Sequence, residues 1–230
     1  MGYNYYLIEY GLIILSVLIV SIAQIALRAK YAKYKKVEVA SGLTGREVAE
    51  RILRENGITD VTIAKISGEL TDNFNNKKRT VSLSEDIYDG TSIASVAVAA
   101  HECGHVIQYK VGYVPIKIRN TLVPFVNFGN TIGYIVIIIS LFLSLANLFL
   151  VGIILMSLAV VFHLVTLPCE LNASRRAKKE LLRLGLITEK EHSGASSVLR
   201  AAAFTYVAGL ITSLLEVLRL VLIFSGRDRD

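Results

Sequence analysis

Apolar residues are concentrated in four long blocks, and charged residues fill the stretches between them. The blocks are residues 6–27, 123–145, 148–167 and 201–224. Each has about the 20 residues that a helix needs to cross the hydrocarbon core of a bilayer. The pattern therefore predicts four membrane-spanning helices. We expect 6–27 to be a retained anchor, because it lacks the basic N-terminal region and the small-residue cleavage site of a signal peptide.

The polar stretches between the blocks have the patterning of folded structure. Residues 28–119 predict a small α+β domain, and residues 168–200 predict a partly buried helix. The elements expected in 28–119 are a helix capped by Thr44 and ending near Asn56, strands at 61–66 and 79–83, a turn at 73–76, and a helix from Thr91 to about Tyr109. The last helix supplies the cover that a two-stranded sheet needs. The predicted fold class is a predominantly α membrane protein with a small α+β domain.

Composition supports a membrane protein, and the distribution of charge predicts which side of the membrane each polar stretch occupies. The chain is 53% hydrophobic with a mean hydropathy of +0.52, above the range of ordinary soluble domains. Of its 25 Lys and Arg residues, 15 lie in 28–119 and 7 in 170–200. Because basic loops stay in the cytoplasm, we expect both polar stretches inside and both termini outside. The basic residues form no aromatic-interleaved motif, so no nucleic-acid partner is expected.

The sequence His101-Glu102-Cys103-Gly104-His105 carries the clearest chemistry. On a helix, two histidines four residues apart lie on one face, where their imidazoles can hold one Zn²⁺. Glu102 is rotated away from the pair and can take a proton from a water on the open side of the metal. The alternative is a buried helix with two hydrogen-bonded histidines. Cys103 and Cys169 are expected to be reduced fillers.

A catalytic zinc usually has three protein ligands and one open position. The candidates for the third ligand are Glu170, His163, His192 and Cys169. The tight hairpin at Ala146-Asn147 returns Glu170 to the side of the HExxH helix, and small residues follow it at Ala173 and Ala177. We favour Glu170 on this ground. Its alternative role is a carboxylate at a helix N-terminus after Pro168.

Several stretches identify a family. The chain resembles the YugP-type neutral zinc metallopeptidases of bacterial membranes, and the likeness covers nearly its whole length. The matching stretches are residues 41–45, 70–72, 83–88, 98–105 and 167–177. It is also distantly similar to gluzincin membrane proteases, in which a ligand Glu is followed by Ala, Asp and Ala three, four and seven residues later. Glu170, Ala173 and Ala177 match that pattern, while Ser174 stands where it has Asp.

The resemblance implies a zincin-like domain with His101, His105 and Glu170 as metal ligands and Glu102 as catalytic base. It also implies a multi-pass protein of the bacterial plasma membrane. We therefore expect an endopeptidase that hydrolyses membrane or membrane-adjacent polypeptides by Glu-assisted attack of a zinc-bound water. The alternatives are a non-catalytic zinc-stabilised scaffold and a transporter component, the latter suggested by charges inside the apolar blocks at Glu9, Glu216 and Arg219.

Further residues have two interpretations each. The strand at 79–83 is either an edge that pairs with the substrate peptide or a covered edge. Arg175, Arg176 or Tyr206 either stabilises an oxyanion or serves membrane topology. Asp72 either orients a zinc-binding imidazole or completes a turn.

Overall fold

A computed structural model describes residues 2–227, with side chains over residues 7–226. The chain divides into two compact units. The apolar unit contains the residues up to Gln24, Ile118–Leu167 and the residues from Thr205 onward, and the polar unit contains Ile25–Lys117 and Pro168–Phe204. The boundaries between the units fall inside four long helices.

The four long helices account for the apolar blocks. They are α1 (Gly2–Tyr34), α5 (Val114–Leu143), α6 (Ala146–Arg183) and α7 (Glu189–Arg227). Each contains a segment long and apolar enough to cross a membrane. Large apolar side chains such as Leu18, Ile139, Ile154 and Leu214 are exposed along them. Because a soluble protein rarely exposes so much apolar surface, these helices indicate a membrane protein.

Within the apolar unit, small residues let α5 and α6 approach closely. A Cβ atom placed on Gly152 would lie 3.2 Å from the Gly133 carbonyl oxygen. This is the packing expected of membrane helices, where small residues bring backbones together. Three charged residues of this unit contact one another: the guanidinium of Arg219 lies 2.6 Å from Glu216 and 3.4 Å from Glu9. The pairing fits a structural role for these charges.

Two prolines lie inside the long helices. Pro124 is within α5 and Pro168 is within α6. An internal proline removes one helical hydrogen bond but does not have to end the helix in a membrane protein. After Pro168, α6 is held by the fully buried side chains of Cys169, Ala173 and Ala177. The helix therefore continues without a break into the polar unit.

The sheet of the polar unit has three strands. They are β1 (Thr62–Ile66), β2 (Asn73–Asn75) and β3 (Thr80–Ser84), in the order β1-β3-β2. β1 runs parallel to β3, and β2 runs antiparallel to it. Two predictions are thereby wrong: residues 73–76 do not form only a turn, and the strand near 79–83 is central and not an edge. Since both sides of β3 are paired, no substrate peptide can lie along it.

The two asparagines explain why the sequence of β2 predicts a turn. Asn73 and Asn75 are exposed and only Phe74 packs inward, so the strand has one apolar residue to indicate it. Asp72, the residue just before β2, fixes its pairing with β3. The Asp72 carboxylate accepts hydrogen bonds from the Ser84 backbone N–H and hydroxyl. A strand of this kind is specified by its partner more than by its own composition.

Three helices complete the polar unit: α2 (Gly45–Glu55), α3 (Glu85–Tyr88) and α4 (Ile93–Lys110). α2 begins with the predicted capping box, in which Thr44 and Glu47 satisfy each other's backbone N–H groups. α4 is capped by Ser92, which accepts from the Ser95 N–H. Val81 and Leu83 of β3 belong to the same buried core as α4, so this helix covers the sheet as predicted.

Candidate metal centre

The HExxH segment lies in the second half of α4, which is buried along most of its length. The alanines that precede the motif carry little side-chain volume, so the helix can be enclosed on several sides. His101 and His105 lie one turn apart, and their ring centroids are 4.8 Å apart. Glu102 and His105 are buried, and the side chain of His101 is 14% exposed. The motif is therefore a nearly enclosed polar cluster on an otherwise apolar helix.

Glu170 of α6 joins the two histidines. Its Oε2 atom lies 3.1 Å from Nε2 of His101 and 3.5 Å from Nε2 of His105. The carboxylate is buried, with 1% of its side chain exposed. One ligand atom from each of the three residues lies within 4.8 Å of those of the other two. The structure thus brings together the three residues that were expected from the sequence to hold a metal.

The distances from the Glu170 carboxylate to the two imidazoles suit zinc. Atoms bound to Zn²⁺ at about 2.0–2.1 Å in a tetrahedral arrangement lie about 3.3–3.4 Å from one another. The two distances from Glu170 fall on either side of this value. Two imidazoles and one carboxylate are also the ligand set of several catalytic zinc sites. Among the residues that the structure describes, no other His, Cys, Asp and Glu side chains form such a group.

Each imidazole is also held from behind, at Nδ1. The Ser174 hydroxyl lies 3.1 Å from Nδ1 of His101, and Oε1 of Gln108 lies 3.0 Å from Nδ1 of His105. These contacts turn both Nε2 atoms toward Glu170. Zinc-binding histidines characteristically make such a second contact, which fixes the orientation of the ring. Ser174 therefore takes the place beside His101 at the position where the gluzincin pattern has Asp.

Sequence reasoning missed Gln108. It is fully buried on α4, three residues after His105. A signal was available, because residues three apart on a helix are neighbours and a polar amide in a buried apolar run needs partners. The partners themselves were not visible in the sequence, because they lie about sixty residues away on α6.

The other candidate ligands lie elsewhere or face other atoms. His163 is in the apolar unit, where its ring lies 2.8 Å from the position that a Cβ on Gly209 would occupy. His192 is in the first turn of α7. Cys169 offers its backbone carbonyl to Gln108. Burial raises the pKa of the Cys103 thiol, with the charge of Glu102 adding to the effect, so Cys103 stays a neutral filler inside the motif.

For some of the residues with two proposed roles, the structure decides between the roles. Asp72 holds Ser84 in the sheet, and since Ser174 and Gln108 contact the two Nδ1 atoms, its proposed role in orienting an imidazole is wrong. Nε of Arg176 donates to Oδ1 of Asn172 at 2.8 Å. Arg175 is exposed on α6.

The comparison with protein families agrees with this geometry. The family described as "Putative neutral zinc metallopeptidase" matches residues 9–225. The chain belongs to this family. The zinc metallopeptidase family implies zinc as the metal, and the His101, His105 and Glu170 group provides a place for it.

A sequence relative covers most of the chain. It is "Putative membrane protease YugP" of Bacillus subtilis (strain 168), which is 45% identical over 196 residues, 85% of this chain and 87% of the relative. The name of this relative agrees with the four apolar helices in indicating a membrane protein. No solved structure matches the chain.

Proposed function

We propose that this chain is a membrane-embedded, zinc-dependent endopeptidase in which His101, His105 and Glu170 hold the metal and Glu102 is the catalytic base. The observation that carries the proposal is the convergence of the three ligand residues within 4.8 Å, directly beside Glu102 on α4. A scaffold would need the three ligands but would have no use for Glu102. The family name supports the same reaction class.

The chain's own residues have distinct tasks in this proposal. Nε2 of each histidine and Oε2 of Glu170 would hold the ion, while Ser174 and Gln108 hold the two rings in position. When bound, zinc supplies Lewis-acid chemistry: it polarises the scissile carbonyl and lowers the pKa of the attacking water. The enclosure of the cluster keeps bulk water away, which strengthens these electrostatic effects.

Glu102 moves the proton. It follows His101 directly, so on a helix its side chain is rotated by about 100° from the imidazole that precedes it. From there its carboxylate takes the proton of the attacking water and delivers it to the nitrogen of the leaving amine. Glu102 is buried, which limits exchange of that proton with solvent before delivery. The C–N bond breaks and one water molecule is consumed. Its hydroxide becomes part of the new carboxylate, and its proton goes to the new amine.

The substrate class follows from how the ligands are connected to the apolar helices. Glu170 lies three residues after the end of the apolar block 148–167, on the same uninterrupted helix. We therefore propose that the substrate is a membrane protein or a polypeptide at the membrane surface. A metal site this close to a membrane-spanning segment is accessible mainly to polypeptides in the bilayer or at its surface.

We propose a topology with both termini outside and the metal centre at the cytoplasmic face. The support is the charge asymmetry, with 22 of 25 Lys and Arg residues in 28–119 and 170–200, the sum of 15 and 7. Single cysteines introduced at Lys36 and Asn147 can be tested with a membrane-impermeant maleimide on intact cells. Labelling only at position 147 agrees with the proposal, and labelling only at position 36 reverses it.

Chelation tests the enzymatic function. The purified full-length chain in detergent should cleave casein or a membrane polypeptide, lose this activity with 1,10-phenanthroline, and regain it when zinc is added. If the chain binds one zinc but shows no chelator-sensitive cleavage of any polypeptide, the scaffold is the correct function. If flux through proteoliposomes survives the loss of His101, the transporter is correct.

A further inference from the structure

The Gln108 side chain makes defined contacts with both helices of the metal centre, α4 and α6. Its amide nitrogen Nε2 lies 2.8 Å from the Cys169 carbonyl oxygen and 3.0 Å from Oδ1 of Asn172. Its amide oxygen Oε1 lies 3.0 Å from Nδ1 of His105. The side chain is fully buried, so water cannot take the place of these partners.

The direction of each hydrogen bond follows from what the partners can do. A backbone carbonyl can only accept, so the amide atom facing Cys169 must be the nitrogen. Asn172 is fixed in the same way, because a guanidinium N–H can only donate: Nε of Arg176 lies 2.8 Å from the Asn172 oxygen, which then also accepts from Gln108. The two N–H groups of Gln108 are thus both used on α6.

This leaves the oxygen of Gln108 facing His105. An amide oxygen accepts, so Nδ1 of His105 must carry the proton and donate it. In that tautomer Nε2 has no proton, and its lone pair points toward Glu170, where the metal would bind. A chain of hydrogen bonds from Arg176 through Asn172 and Gln108 therefore determines which nitrogen of His105 is available.

We infer that Gln108 is a positioning residue that holds His105 in its metal-binding tautomer, and that it is itself oriented by Cys169, Asn172 and Arg176. The inference rests on the proposed zinc site and adds a requirement to it. Loss of an outer partner of a metal-binding histidine typically weakens metal binding about 10–100-fold.

The two histidines differ in this respect. The Ser174 hydroxyl that contacts Nδ1 of His101 can rotate to donate or to accept, so it suits either tautomer of that ring. The Gln108 amide has no such freedom, because both of its N–H groups are bound to acceptors. We therefore expect His105 to be the histidine whose tautomer is fixed before the metal arrives.

Zinc affinity of the full-length chain, measured by competition with a chromophoric chelator, tests the inference. Gln108→Leu should bind zinc about 10–100-fold more weakly. Asn172→Asp keeps an oxygen that accepts from both Arg176 and Gln108, so the orientation of Gln108 is preserved and zinc affinity should stay close to that of the wild type. Visible absorption of the Co²⁺-loaded proteins should show an altered ligand field for Gln108→Leu and a wild-type spectrum for Asn172→Asp.

Asn56→Leu is a matched control. The Asn56 amide nitrogen also donates to one backbone carbonyl, that of Ile52, and to one side-chain oxygen, that of Glu180. Its loss should lower the melting temperature but leave zinc affinity and the Co²⁺ spectrum unchanged. The comparison separates the orientation of His105 from the general cost of losing a hydrogen-bonded amide.

The outcomes distinguish this inference from the zinc site on which it depends. If Gln108→Leu binds zinc like wild type while His101→Ala does not, the inference about Gln108 is wrong and the site stands. If both variants bind zinc like wild type, the proposed site fails together with the inference. Should Gln108→Leu not fold, Gln108→Met, which has nearly the same shape and no amide, takes its place, and wild-type zinc affinity in that variant overturns the inference.

Discussion

Gly104 lies directly against the main chain of Ala173. A Cβ atom placed on Gly104 would lie 2.5 Å from the Ala173 carbonyl oxygen and 3.1 Å from its Cα. The two helices of the metal centre, α4 and α6, therefore meet backbone to backbone between the two histidines of one and the Glu170 of the other. This contact brings the Glu170 carboxylate within reach of both imidazoles.

Replacing Gly104 with alanine should separate the two helices. The new methyl group would meet backbone atoms, which cannot move aside as a flexible side chain can, and such overpacking costs about 1–3 kcal/mol. We expect Gly104→Ala to have a lower melting temperature and to retain much less than one zinc per chain after dialysis.

Gly11→Ala is the control for this substitution. Gly11 is also in a helix, but apart from the backbone of that helix no atom of the described residues lies within 4 Å of a Cβ placed there. Alanine should be neutral or slightly stabilising at that position because of its higher helix propensity. A Gly104→Ala protein with the melting temperature and zinc content of wild type would refute the close contact as the basis of the site.

Two buried glutamates of α6 allow the third ligand to be tested against a matched residue. Glu170 faces the histidines, whereas Glu180 is paired with Arg183 at 2.5 Å and accepts from Asn56 at 2.9 Å. Glu170→Gln removes the charged ligand atom, so zinc affinity should fall by more than the 10–100-fold typical of an outer partner. Glu180→Gln should lose stability and keep its zinc. Equal zinc affinity in the two variants would exclude Glu170 as a ligand.

Asp72 gives the sheet a pH dependence. Burial raises the pKa of its carboxyl above the ordinary value of 3.8, even though hydrogen bonds from Ser84 act in the opposite direction. A carboxyl with a raised pKa in the folded state contributes stability below its unfolded pKa and loses that contribution as pH rises through the folded pKa. The wild type should therefore lose melting temperature relative to Asp72→Asn as pH increases from about 3.8 upward.

The amide introduced by Asp72→Asn keeps an oxygen that can accept from Ser84, so the two proteins differ mainly in this one titration. Melting curves of both at a series of pH values provide the measurement. Other titrating groups are common to the two proteins and cancel in the difference. A difference in melting temperature that does not change with pH would show that Asp72 has an ordinary pKa.

Most of the helical architecture could be predicted from local patterns. Four apolar blocks indicated four long helices, and the capping box at Thr44 marked the start of α2 correctly. The grouping of Glu170 with the two histidines was reached from the tight hairpin, the small residues Ala173 and Ala177, and the family resemblance. These features could be predicted because they depend on residues close together in the sequence, or on helical spacings that place residues on one face.

The features that were missed depend on contacts between distant segments. β2 forms because Asp72 and β3 hold it, and β3 is central because β1 pairs with its other side. The continuation of α6 past Pro168 depends on the burial of the residues that follow. Gln108 gains its role only when α6 presents the Cys169 carbonyl and Asn172 to it. Contacts of this kind cannot be predicted from the sequence pattern of one segment alone.

The most direct test of the central claim is zinc content and polypeptide cleavage measured together for the wild type and Glu102→Gln. The substitution removes the proton acceptor and leaves the three ligands in place, so it should retain one zinc per chain and lose cleavage about 10²–10⁴-fold, the usual contribution of a general base. Glu50→Gln, on the exposed side of α2, should cleave normally. Cleavage by zinc-loaded Glu102→Gln at the wild-type rate would contradict the account.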